Sequence, residues 1–431
     1  MFIIVKRIEA FLKETGMHPE LTDMQDMVSQ IRSDMVAALK KPASSLLMLP
    51  TYLQSPPPPQ DSSPIIAIDA GGTNFRRALV SFKEGRANIT EHIKRPMPGT
   101  SAEITSEQFY EEIARHILPL TNYSDKVAFC FSYSAEITPN RDGIVAALSK
   151  EVKVIGIAGS VIGTELKKKL KELGCKREIE ITVINDTTAA MLGGAYENTR
   201  PHDGAAGLIL GTGFNACYEE KAENIKKLSM PGDMIINTEA GCFNKVIQGE
   251  ADRILDASTD NPNDHLCEKM VSGAYLGRLV WETARLAAGL FTESFREKLE
   301  ASKPFKTPEL EQLMAKAPSR ITGLCKNSAD VQSISIITDR LYRRAARITV
   351  SFIGALAEHT DKGRRRDMPY LIAADGSVFY KARHMIPIRE RLMTELVENT
   401  LKRHAVFQKS SGGNLTGAAI AAVAADKNRN L

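Results

Sequence analysis

The stretch AIDAGGTNFRRALVSF (residues 67–82) contains two strand-like halves joined by a small polar turn. Its first half is apolar and ends on the carboxylate of Asp69. Side-chain-free and polar residues follow at once: Gly71, Gly72, Thr73 and Asn74. Glycine adopts the backbone angles of a tight turn without steric cost, and its missing Cβ lets a ligand approach the backbone N–H groups. The stretch therefore predicts a β-hairpin whose tip is either a plain turn or a phosphate-binding site.

A second stretch, LILGTGFNACYEE (208–220), repeats this pattern. It has a strand, a turn of small residues, an asparagine and a returning strand; the turn is Gly211, Thr212 and Gly213. Two such hairpins favour phosphate binding and predict a duplicated α/β nucleotide-binding architecture with one hairpin in each lobe. Asp69 would repel a bare phosphate, so its position indicates an intervening Mg²⁺. Neither turn is a P-loop or a Rossmann turn, because a strand rather than a helix follows each one.

The composition indicates which kinds of binding partner and which cellular compartment are expected. The 431-residue chain has a formal net charge of +4, and its basic residues are spread along the sequence, which disfavours a nucleic-acid partner. The six cysteines form no C-x-x-C pair, which indicates reduced thiols in an intracellular protein. The apolar start, residues 1–5, is interrupted at once by charged residues, and no later stretch is long enough to span a bilayer. We therefore expect a cytoplasmic protein without a membrane partner.

Apolar periodicity divides the chain into an arm and two lobes. Residues 5–40 have helical spacing, and residues 47–64, with four consecutive prolines, indicate an extended connector. Strands are predicted at 65–69, 77–82, 87–92, 127–133, 179–184, 207–210, 216–219, 234–237 and 370–375, and helices at 106–118, 161–173, within 269–357 and at 417–425. The predicted domains are a helical arm and connector (1–60, with the arm packed on the large domain), a small domain (61–186 plus 417–431) and a large domain (187–416).

Six motifs occur in the order and approximate spacing of the hexokinase family. They are IIAIDAGGTNFRRALVSF, FSYSAEITPNRDGIVAALSK, INDTTAAMLGGAYEN, LILGTGFNACYEE, IINTEAGCFN and AADGSVFYK, and the match runs from about residue 45 to the C-terminus. The chain therefore resembles hexokinases. The resemblance implies a two-lobed actin-like ATPase fold, a ribonuclease H-like duplication with a cleft between a small and a large domain. It also implies an enzyme that transfers the γ-phosphate of Mg·ATP to the 6-hydroxyl of a hexose, with glucose preferred, in the first step of glycolysis.

The motif VINDTTAAM (183–191) ends a strand and opens a helix with Asn185 and Asp186. By itself, this pattern is typical of a helix N-cap, in which an aspartate accepts free backbone N–H groups. The resemblance makes Asp186 the catalytic base, which accepts the proton of the sugar's primary hydroxyl, while Asn185 holds neighbouring hydroxyls. A carboxylate with a reference pKa of about 3.9 suits a loose phosphoryl-transfer transition state in which the proton leaves late.

The resemblance also implies hexose contacts from both lobes. The predicted substrate-binding residues are Ser132, Ser149, Lys150, Asn185, Asp186, Asn215, Glu239 and Glu268. Carboxylates and amides suit a ring of hydroxyls because charged acceptors form strong hydrogen bonds. Lys150 is predicted to be catalytic as well, since its ammonium would stabilise charge on the transferring phosphate. Without the motifs, Glu239 and Glu268 could each be an ordinary surface or helix-face carboxylate, and Glu268 beside Lys269 is typical of one. A solvated lysine at a strand or loop edge is about equally probable for Lys150.

The nucleotide and metal are assigned to the two hairpin tips and a third turn in ADGSV (374–378). The predicted nucleotide-binding residues are Asp69, Gly71, Gly72, Thr73, Asn74, Arg76, Gly211, Thr212, Gly213, Gly376 and Ser377. Mg²⁺ is assigned to Asp69 and Asp186, mainly through water and the ATP phosphates. The chain departs from the family pattern at several positions, namely Ser134, Ser149, Glu151, Phe214, Ala240, His265 and the loop SSGGNLTGAA (410–419).

Two other function classes fit parts of the pattern. A non-catalytic sugar-sensing regulator would keep the fold, but the presence of Asp186 makes it the minority interpretation. An actin- or chaperone-type ATPase would have no reason to keep the sugar-binding set together. We expect ATP and a hexose as ligands and either a monomer or a homodimer.

Overall fold

The computed structural model describes residues 2–42, 44–72, 74–148, 152–229, 232–409 and 412–427. Its strands are β1 (Leu49–Pro50), β2 (Ile65–Gly71), β3 (Asn74–Lys83), β4 (Arg86–Pro96), β5 (Ile104–Thr105), β6 (Lys126–Phe131), β7 (Ser134–Ile137), β8 (Gly143–Ala147), β9 (Val154–Ile155), β10 (Glu180–Ile184), β11 (Ala205–Leu210), β12 (Phe214–Glu220), β13 (Met234–Asn237), β14 (Tyr370–Asp375) and β15 (Ala405–Gln408).

The helices carry most of the packing around these strands. They are α1 (Phe2–Glu14), α2 (Met24–Lys40), α3 (Ser106–Ile117), α4 (Ile162–Glu172), α5 (Asp186–Glu197), α6 (Glu250–Ala257), α7 (Leu266–Val271), α8 (Leu276–Leu286), α9 (Glu293–Glu300), α10 (Thr307–Met314), α11 (Arg320–Leu324), α12 (Ser328–His359), α13 (Ser377–Lys381), α14 (Met385–Leu392) and α15 (Gly413–Lys427), with a π-helix at Met393–Thr400. The strand and helix regions predicted from apolar periodicity lie within these elements or overlap them.

The helical region predicted at residues 5–40 contains a break that the prediction did not locate. It is two helices, α1 and α2, separated by residues 15–23. Gly16 takes a positive φ of 73°, and Pro19 lies in a short 3-10 turn, so the break has a local cause. The carboxylate of Asp23 then accepts the backbone N–H groups of Gln25 and Asp26 and begins α2 as its N-cap.

The small-lobe sheet has the strand order β10-β6-β2-β3-β4. β10, β6 and β2 are parallel, whereas β3 and β4 continue the sheet antiparallel. The side chains of Phe109 and Ile113 on α3 and of Leu166 and Leu170 on α4 are buried against one face of this sheet. Because parallel strands run in the same direction, the carboxyl ends of β2, β6 and β10 lie at the same edge of the sheet.

The large-lobe sheet repeats this order and these directions. It runs β1-β13-β12-β11-β14-β15, in which β13, β12 and β11 are antiparallel neighbours and β11, β14 and β15 are parallel. Apart from the short added strand β1, the sheet is a second copy of the small-lobe arrangement. The prediction of a two-lobed duplication in the actin-like class is confirmed.

Two helices cross between the lobes and join them. α5 follows β10 but packs on β11 and β14 of the large-lobe sheet, and α15 packs on β2 and β6 of the small-lobe sheet. The two helices also pack against each other. This approach is close: a Cβ at Gly417 would lie 1.8 Å from the carbonyl oxygen of Ala189, so that position requires glycine. The alanine-rich sequence of α15 follows from the same narrow spacing.

The N-terminal arm packs on helices of the large lobe. Leu12 of α1 and Ile31 of α2 are buried in the same core as the long helix α12. Asp34 of α2 is also buried; it accepts hydrogen bonds from Ser45 Oγ and Leu46 N and pairs with Lys245 Nζ at 2.7 Å. The proline-rich connector contains no regular structure from residue 51 to residue 64. The predicted domain boundaries themselves stay a prediction.

α12 is the central helix of the large lobe. Its Arg344 is buried and forms a two-pronged ion pair with Asp252, with both Nη–Oδ distances at 2.7 Å. A buried charge is tolerated here because the partner carboxylate matches the guanidinium geometry. None of the helices in the described part of the chain is long and apolar enough to cross a bilayer.

Candidate active site

The carboxyl ends of the parallel small-lobe strands bring three predicted site residues to one edge. Asp69 lies in β2, Ser132 directly follows β6, and Asp186 comes two residues after the end of β10, as the first residue of α5. The backbone N–H of Ser132 donates to the carbonyl of Ala70 at 3.1 Å, which extends the pairing of β2 and β6 to the edge. Asp69 and Asp186 are 117 positions apart in the sequence, with Ser132 between them, and the parallel register gathers the three residues.

Asp186 is the first residue of α5, but it is not the N-cap. The cap is Asn185, whose side-chain oxygen accepts the backbone N–H of Thr187 at 2.9 Å. The N-cap interpretation of Asp186 is therefore wrong. Its Oδ1 accepts the hydroxyl of Thr187 at 3.2 Å. Burial first, and then the nearby carboxylates of Asp69 and Glu239, raise the pKa of Asp186 to about 7.

The carboxylate of Asp69 is buried and held from two sides. Arg76 Nη1 lies 3.1 Å from Oδ2, and Asn414 Nδ2 donates to Oδ1 at 3.3 Å. Arg76 is opposite Asp69 in the β2–β3 register, so the hairpin itself supplies the counter-charge. Burial is the main cause that raises the pKa of Asp69, and the carboxylate of Asp375 raises it further, while Arg76 lowers it.

Asp375 shows where the large lobe meets this edge. It is the last residue of β14, and its Oδ1 accepts the backbone N–H of Gly376 at 2.7 Å. The carboxylate of Asp375 raises the pKa of Asp69, so one carboxylate from each lobe acts on this edge. Carboxylate oxygens are ligands that suit Mg²⁺. The assignment of Mg²⁺ to Asp69 and Asp186 stays a prediction, and Asp375 is a further carboxylate that was not predicted.

The sugar-side residues of the large lobe form a hydrogen-bonded group around Glu239. Asn215 Nδ2 donates to Glu239 Oε1 at 3.2 Å and to Asn237 Oδ1 at 2.8 Å. Asn237 Nδ2 also donates to Glu239 Oε1. Glu239 is half-buried, and burial is the main cause that raises its pKa, while Asn237 and Asn215 lower it. The two amides therefore orient one carboxylate oxygen and support its charge.

Glu268 lies on α7, behind the second hairpin tip. Its Oε2 accepts the backbone N–H of Phe214 at 2.9 Å. Burial is the main cause that raises the pKa of Glu268, and the hydrogen bond from Phe214 lowers it. A Cβ on Gly213 would lie 2.7 Å from Glu268 Oε2, and a Cβ on Gly241 would lie 3.1 Å from Glu268 Cβ. Glycine is required at these turns because a carboxylate approaches the backbone, and not because of an unusual φ.

The glycines at the two hairpin tips are needed for different reasons: some take a positive φ, and others lie too close to a neighbouring atom for a side chain. Gly72 has a positive φ of 55° and lies in open space, so it serves the turn itself. A Cβ at Gly71 would instead lie 2.7 Å from Ser132 Oγ. In the large lobe, Gly211 lies close to the third turn, since a Cβ there would be 3.2 Å from the Cα of Gly376. The predicted phosphate turn and the predicted adenosine-side turn are therefore adjacent.

Other predicted site residues are placed as follows. Thr212 and Ser377 are exposed, and Asn74 and Arg76 are half-buried at the first hairpin. Gly376 has a positive φ of 114°, and a Cβ there would lie 2.3 Å from the backbone of Leu210. Three predicted site residues lie outside the described residues: Thr73, Ser149 and Lys150.

Sequence reasoning missed three residues that the structure brings into contact with the predicted set. They are Asn237, Asp375 and Asn414. Asp375 carries a visible signal, because an aspartate at a strand end before glycine repeats the pattern at Asp69. Asn237 precedes Glu239 by two positions and is detectable only as a neighbour. Asn414 is 345 positions from Asp69, and nothing in its local sequence indicates that contact.

Two departures from the family pattern have a packing role in this structure. Ala240 is fully buried, and its backbone N–H donates to Asn215 Oδ1 at 3.2 Å. Phe214 is buried with its ring edge against Phe352, with the ring centroids 5.1 Å apart. Another departure, His265, lies beside Cys242, with Nε2 and Sγ separated by 3.6 Å.

Comparison with protein families gives two matches. Two family models described as Hexokinase match the chain, one over residues 7–196 and the other over residues 205–424. Hexokinase-1 of Nicotiana tabacum is 29% identical over 415 residues, which cover 88% of this chain and 83% of the tobacco protein. Hexokinase-3 of Mus musculus is 27% identical over 431 residues, which cover 93% of this chain but only 45% of the mouse protein. The chain thus spans less than half the length of that relative.

A solved structure supports the same fold. A hexokinase from Schistosoma mansoni, complexed with glucose, superposes with a TM-score of 0.76 at 20% sequence identity. The superposition covers 98% of this chain and 99% of the other. At this identity, the similarity establishes the shared architecture of the two lobes.

Proposed function

The chain belongs to the hexokinase family, and we propose that it transfers the γ-phosphate of Mg·ATP to the 6-hydroxyl of a hexose. Family membership supports ATP-dependent hexose phosphorylation. The observation that carries the proposal is the position of Asp186. It lies at the small-lobe edge beside Asp69, on the nucleotide side, and within electrostatic reach of Glu239, on the sugar side of the large lobe.

Asp186 is the base in this proposal. The hydroxyls of Thr187 and Ser132 bond to its carboxylate and orient it, and its pKa of about 7 makes it a better proton acceptor than a solvated aspartate. As the sugar oxygen approaches the γ-phosphorus, its proton passes to the Asp186 carboxylate. A loose transition state requires little basicity, so most of the rate enhancement comes from position.

The hexose is held by acceptors from the large lobe. Asn215, Glu239 and Glu268 face the same region, and the last two carry raised pKa values because water is excluded from them. Sugar hydroxyls donate to such carboxylates by charge-assisted hydrogen bonds, which replace the lost hydration. An analogue without the matching hydroxyl leaves a buried acceptor unpaired, and this is the basis of selectivity. Glucose is the proposed acceptor.

ATP lies between the hairpin tips in this proposal. The glycine turns at Gly71–Gly72 and Gly211–Gly213 present backbone N–H groups to the phosphates, and the Gly376 turn lies on the adenosine side. Mg²⁺ would be held by Asp69 and Asp375 through water and would neutralise charge on the phosphates. Lys150 would add positive charge near the transferring group, as the family resemblance implies.

Sugar binding is proposed to close the cleft. Ser132, Ser149 and Lys150 contact the hexose from the small lobe, and Glu239 and Glu268 contact it from the large lobe. Only a ligand that touches both walls stabilises the closed form and keeps water from the phosphoryl group. Xylose lacks the terminal hydroxymethyl group, so it should close the cleft and stimulate ATP hydrolysis. If ATP hydrolysis stays unchanged with saturating xylose, the closure proposal is wrong.

The deciding experiment is a product assay. The purified chain is incubated with Mg·ATP and glucose, mannose, fructose or galactose in separate reactions, and the products are identified by ³¹P NMR and mass spectrometry. We expect glucose 6-phosphate to form fastest. The Asp186→Ala variant, checked for folding by circular dichroism, should form no measurable product. Absence of every hexose phosphate with the wild-type chain would favour the sugar-sensing regulator.

Location and assembly stay proposals of the same kind. We propose a cytoplasmic protein acting at the entry of sugars into glycolysis, as a monomer or a homodimer. All six cysteines are free thiols, three of them buried, which suits a reducing compartment. Fractionation of cells and light scattering of the purified protein test the two statements separately.

A further inference from the structure

Three side chains with metal-binding atoms lie together next to the sugar-side carboxylates. They are Glu239, Cys242 and His265, all half-buried, and their ligand atoms lie within 4.8 Å of one another. The shortest described separation joins Cys242 Sγ and His265 Nε2, at 3.6 Å. A carboxylate, a thiol and an imidazole are the three side-chain types that bind Zn²⁺.

The separation of sulfur and nitrogen matches a zinc site. Zn–S bonds of about 2.3 Å and Zn–N bonds of about 2.1 Å, at a tetrahedral angle, place the two ligand atoms about 3.6 Å apart. A direct S–H···N hydrogen bond accounts for the same contact only if the ring nitrogen accepts. A hydrogen bond joins only the thiol and the ring, whereas a zinc ion would also engage the carboxylate of Glu239, whose ligand atom lies within 4.8 Å of both.

The surroundings of His265 and Glu239 leave ligand atoms available for a cation. The carboxylate of Asp264 lies 2.8 Å from Nδ1 of His265, on the side of the ring away from Cys242, but Nδ1 makes no hydrogen bond in the described part of the chain. This carboxylate therefore places negative charge beside the imidazole without orienting the ring by a hydrogen bond. Asn215 and Asn237 both donate to Oε1 of Glu239, and among the described residues no donor reaches its Oε2.

The local charge favours a cation. The carboxylates of Glu239, Asp264 and Glu268 all act on Cys242. Three carboxylates around one group of ligand atoms attract a divalent cation.

We propose that Glu239, Cys242 and His265 form a binding site for Zn²⁺, with a fourth position open to water. The site is particular to this chain, because the hexokinase pattern commonly has glutamine where His265 stands. The proposal also rests on the proposed function in one respect. Since Glu239 is also a proposed hexose acceptor, Zn²⁺ and hexose exclude each other, and zinc acts as a competitive inhibitor of the kinase.

The first test measures zinc affinity directly and does not depend on activity. The chain is stripped of metal with EDTA, kept reduced, and titrated with Zn²⁺ in competition with a chromogenic chelator. We expect one equivalent of zinc to bind. Cys242→Ala and His265→Gln should each weaken binding at least about tenfold, because each removes one ligand. Cys175→Ala, at another half-buried cysteine, is the matched control and should bind like the wild type.

Thermal denaturation of each variant without metal shows whether it is folded. Equal zinc affinity in the wild type, Cys242→Ala and His265→Gln would overturn the site, as would the absence of zinc binding by the wild type. Excess Mg²⁺ should not displace zinc, because Mg²⁺ prefers oxygen ligands. Displacement by millimolar Mg²⁺ would also contradict the assignment.

The second test addresses exclusion of the hexose. Saturating glucose should weaken zinc binding, and zinc should raise the KM for glucose without lowering kcat. If zinc binds through Cys242 and His265 but glucose leaves its affinity unchanged, mutual exclusion is wrong while the metal site stands. If no hexose is phosphorylated at all, the proposed function fails, whereas the zinc titration still decides the metal site.

Discussion

The two lobes share a strand arrangement but place their charged groups in different ways. In the small lobe, Asp69 lies in a strand and Asp186 comes two residues after the end of another, at the edge where the parallel strands of the sheet end. In the large lobe, Glu239 follows β13 in a left-handed conformation, with φ at 53°, and Glu268 lies on α7. The repeated sheets supply two glycine turns, to which we assign phosphate binding. The groups proposed for acid–base chemistry and sugar binding are not repeated, so the duplicated fold is suited to an asymmetric reaction.

The largest expected effect lies in the small lobe. Asp186→Asn removes the base while keeping the shape of the side chain, and we expect kcat to fall by about 10²–10⁴-fold. Glucose and ATP should still bind, because their other contacts remain. A coupled assay for ADP, with calorimetry for binding, measures both quantities. Asp233→Asn, on the large-lobe surface and paired with Lys221, is the control. If kcat of Asp186→Asn falls by less than threefold, the small lobe does not supply the base, and the proposed asymmetry between the lobes is wrong.

Substitutions in the large lobe should mainly weaken the binding of glucose. Glu268→Gln and Glu239→Gln replace charged acceptors of sugar hydroxyls, and each should raise the KM for glucose by about 10–100-fold, since a hydrogen bond to a charged group is worth about 1.5–3 kcal/mol. The KM for ATP should change much less. Steady-state kinetics with each substrate varied in turn gives both constants. Equal rises in the two KM values would mean that the large-lobe carboxylates do not distinguish sugar from nucleotide.

Replacing the hairpin glycines with alanine should change kcat in one lobe and the KM for glucose in the other, by less than the preceding substitutions. Gly71→Ala presses on Ser132 and should lower kcat, whereas Gly213→Ala presses on Glu268 and should raise the KM for glucose. We expect changes of about tenfold, because the neighbouring side chains can shift. Gly289→Ala, where a Cβ would meet open space, is the control and should behave like the wild type. An exchange of the two kinetic effects would contradict the assigned contacts.

The smallest expected effect concerns stability. The folded-state pKa of Asp186, about 7, exceeds the unfolded value of about 3.9, so the folded state binds more protons between these values. The contribution of this group to the free energy of unfolding therefore decreases as the pH rises from about 4 to about 7. Asp186→Asn should raise Tm by a few degrees at pH 8 and by less at pH 5. Differential scanning calorimetry measures this; an equal rise at both values would show that the group is not titrating.

The predicted elements follow from local sequence, because apolar periodicity reports which face of a strand or helix is buried. The break between α1 and α2 was missed, although Gly16 and Pro19 signal it. The motif around Asp186 identified a helix start but not which residue caps it, since asparagine and aspartate are equally good caps. The capping bond from Thr187 to Asn185 is decided by the backbone at that turn.

The sequence by itself determined the two glycine hairpins, the strand that leads to Asp186 and the family to which the chain belongs. Only the tertiary structure decided that Asn414 donates a hydrogen bond to Asp69, and that Cys242 lies beside His265. The residues of each pair lie in separate segments, and the local sequence around one residue does not predict its contact with the other. Strand register and helix packing, which depend on the whole chain, bring their side chains together.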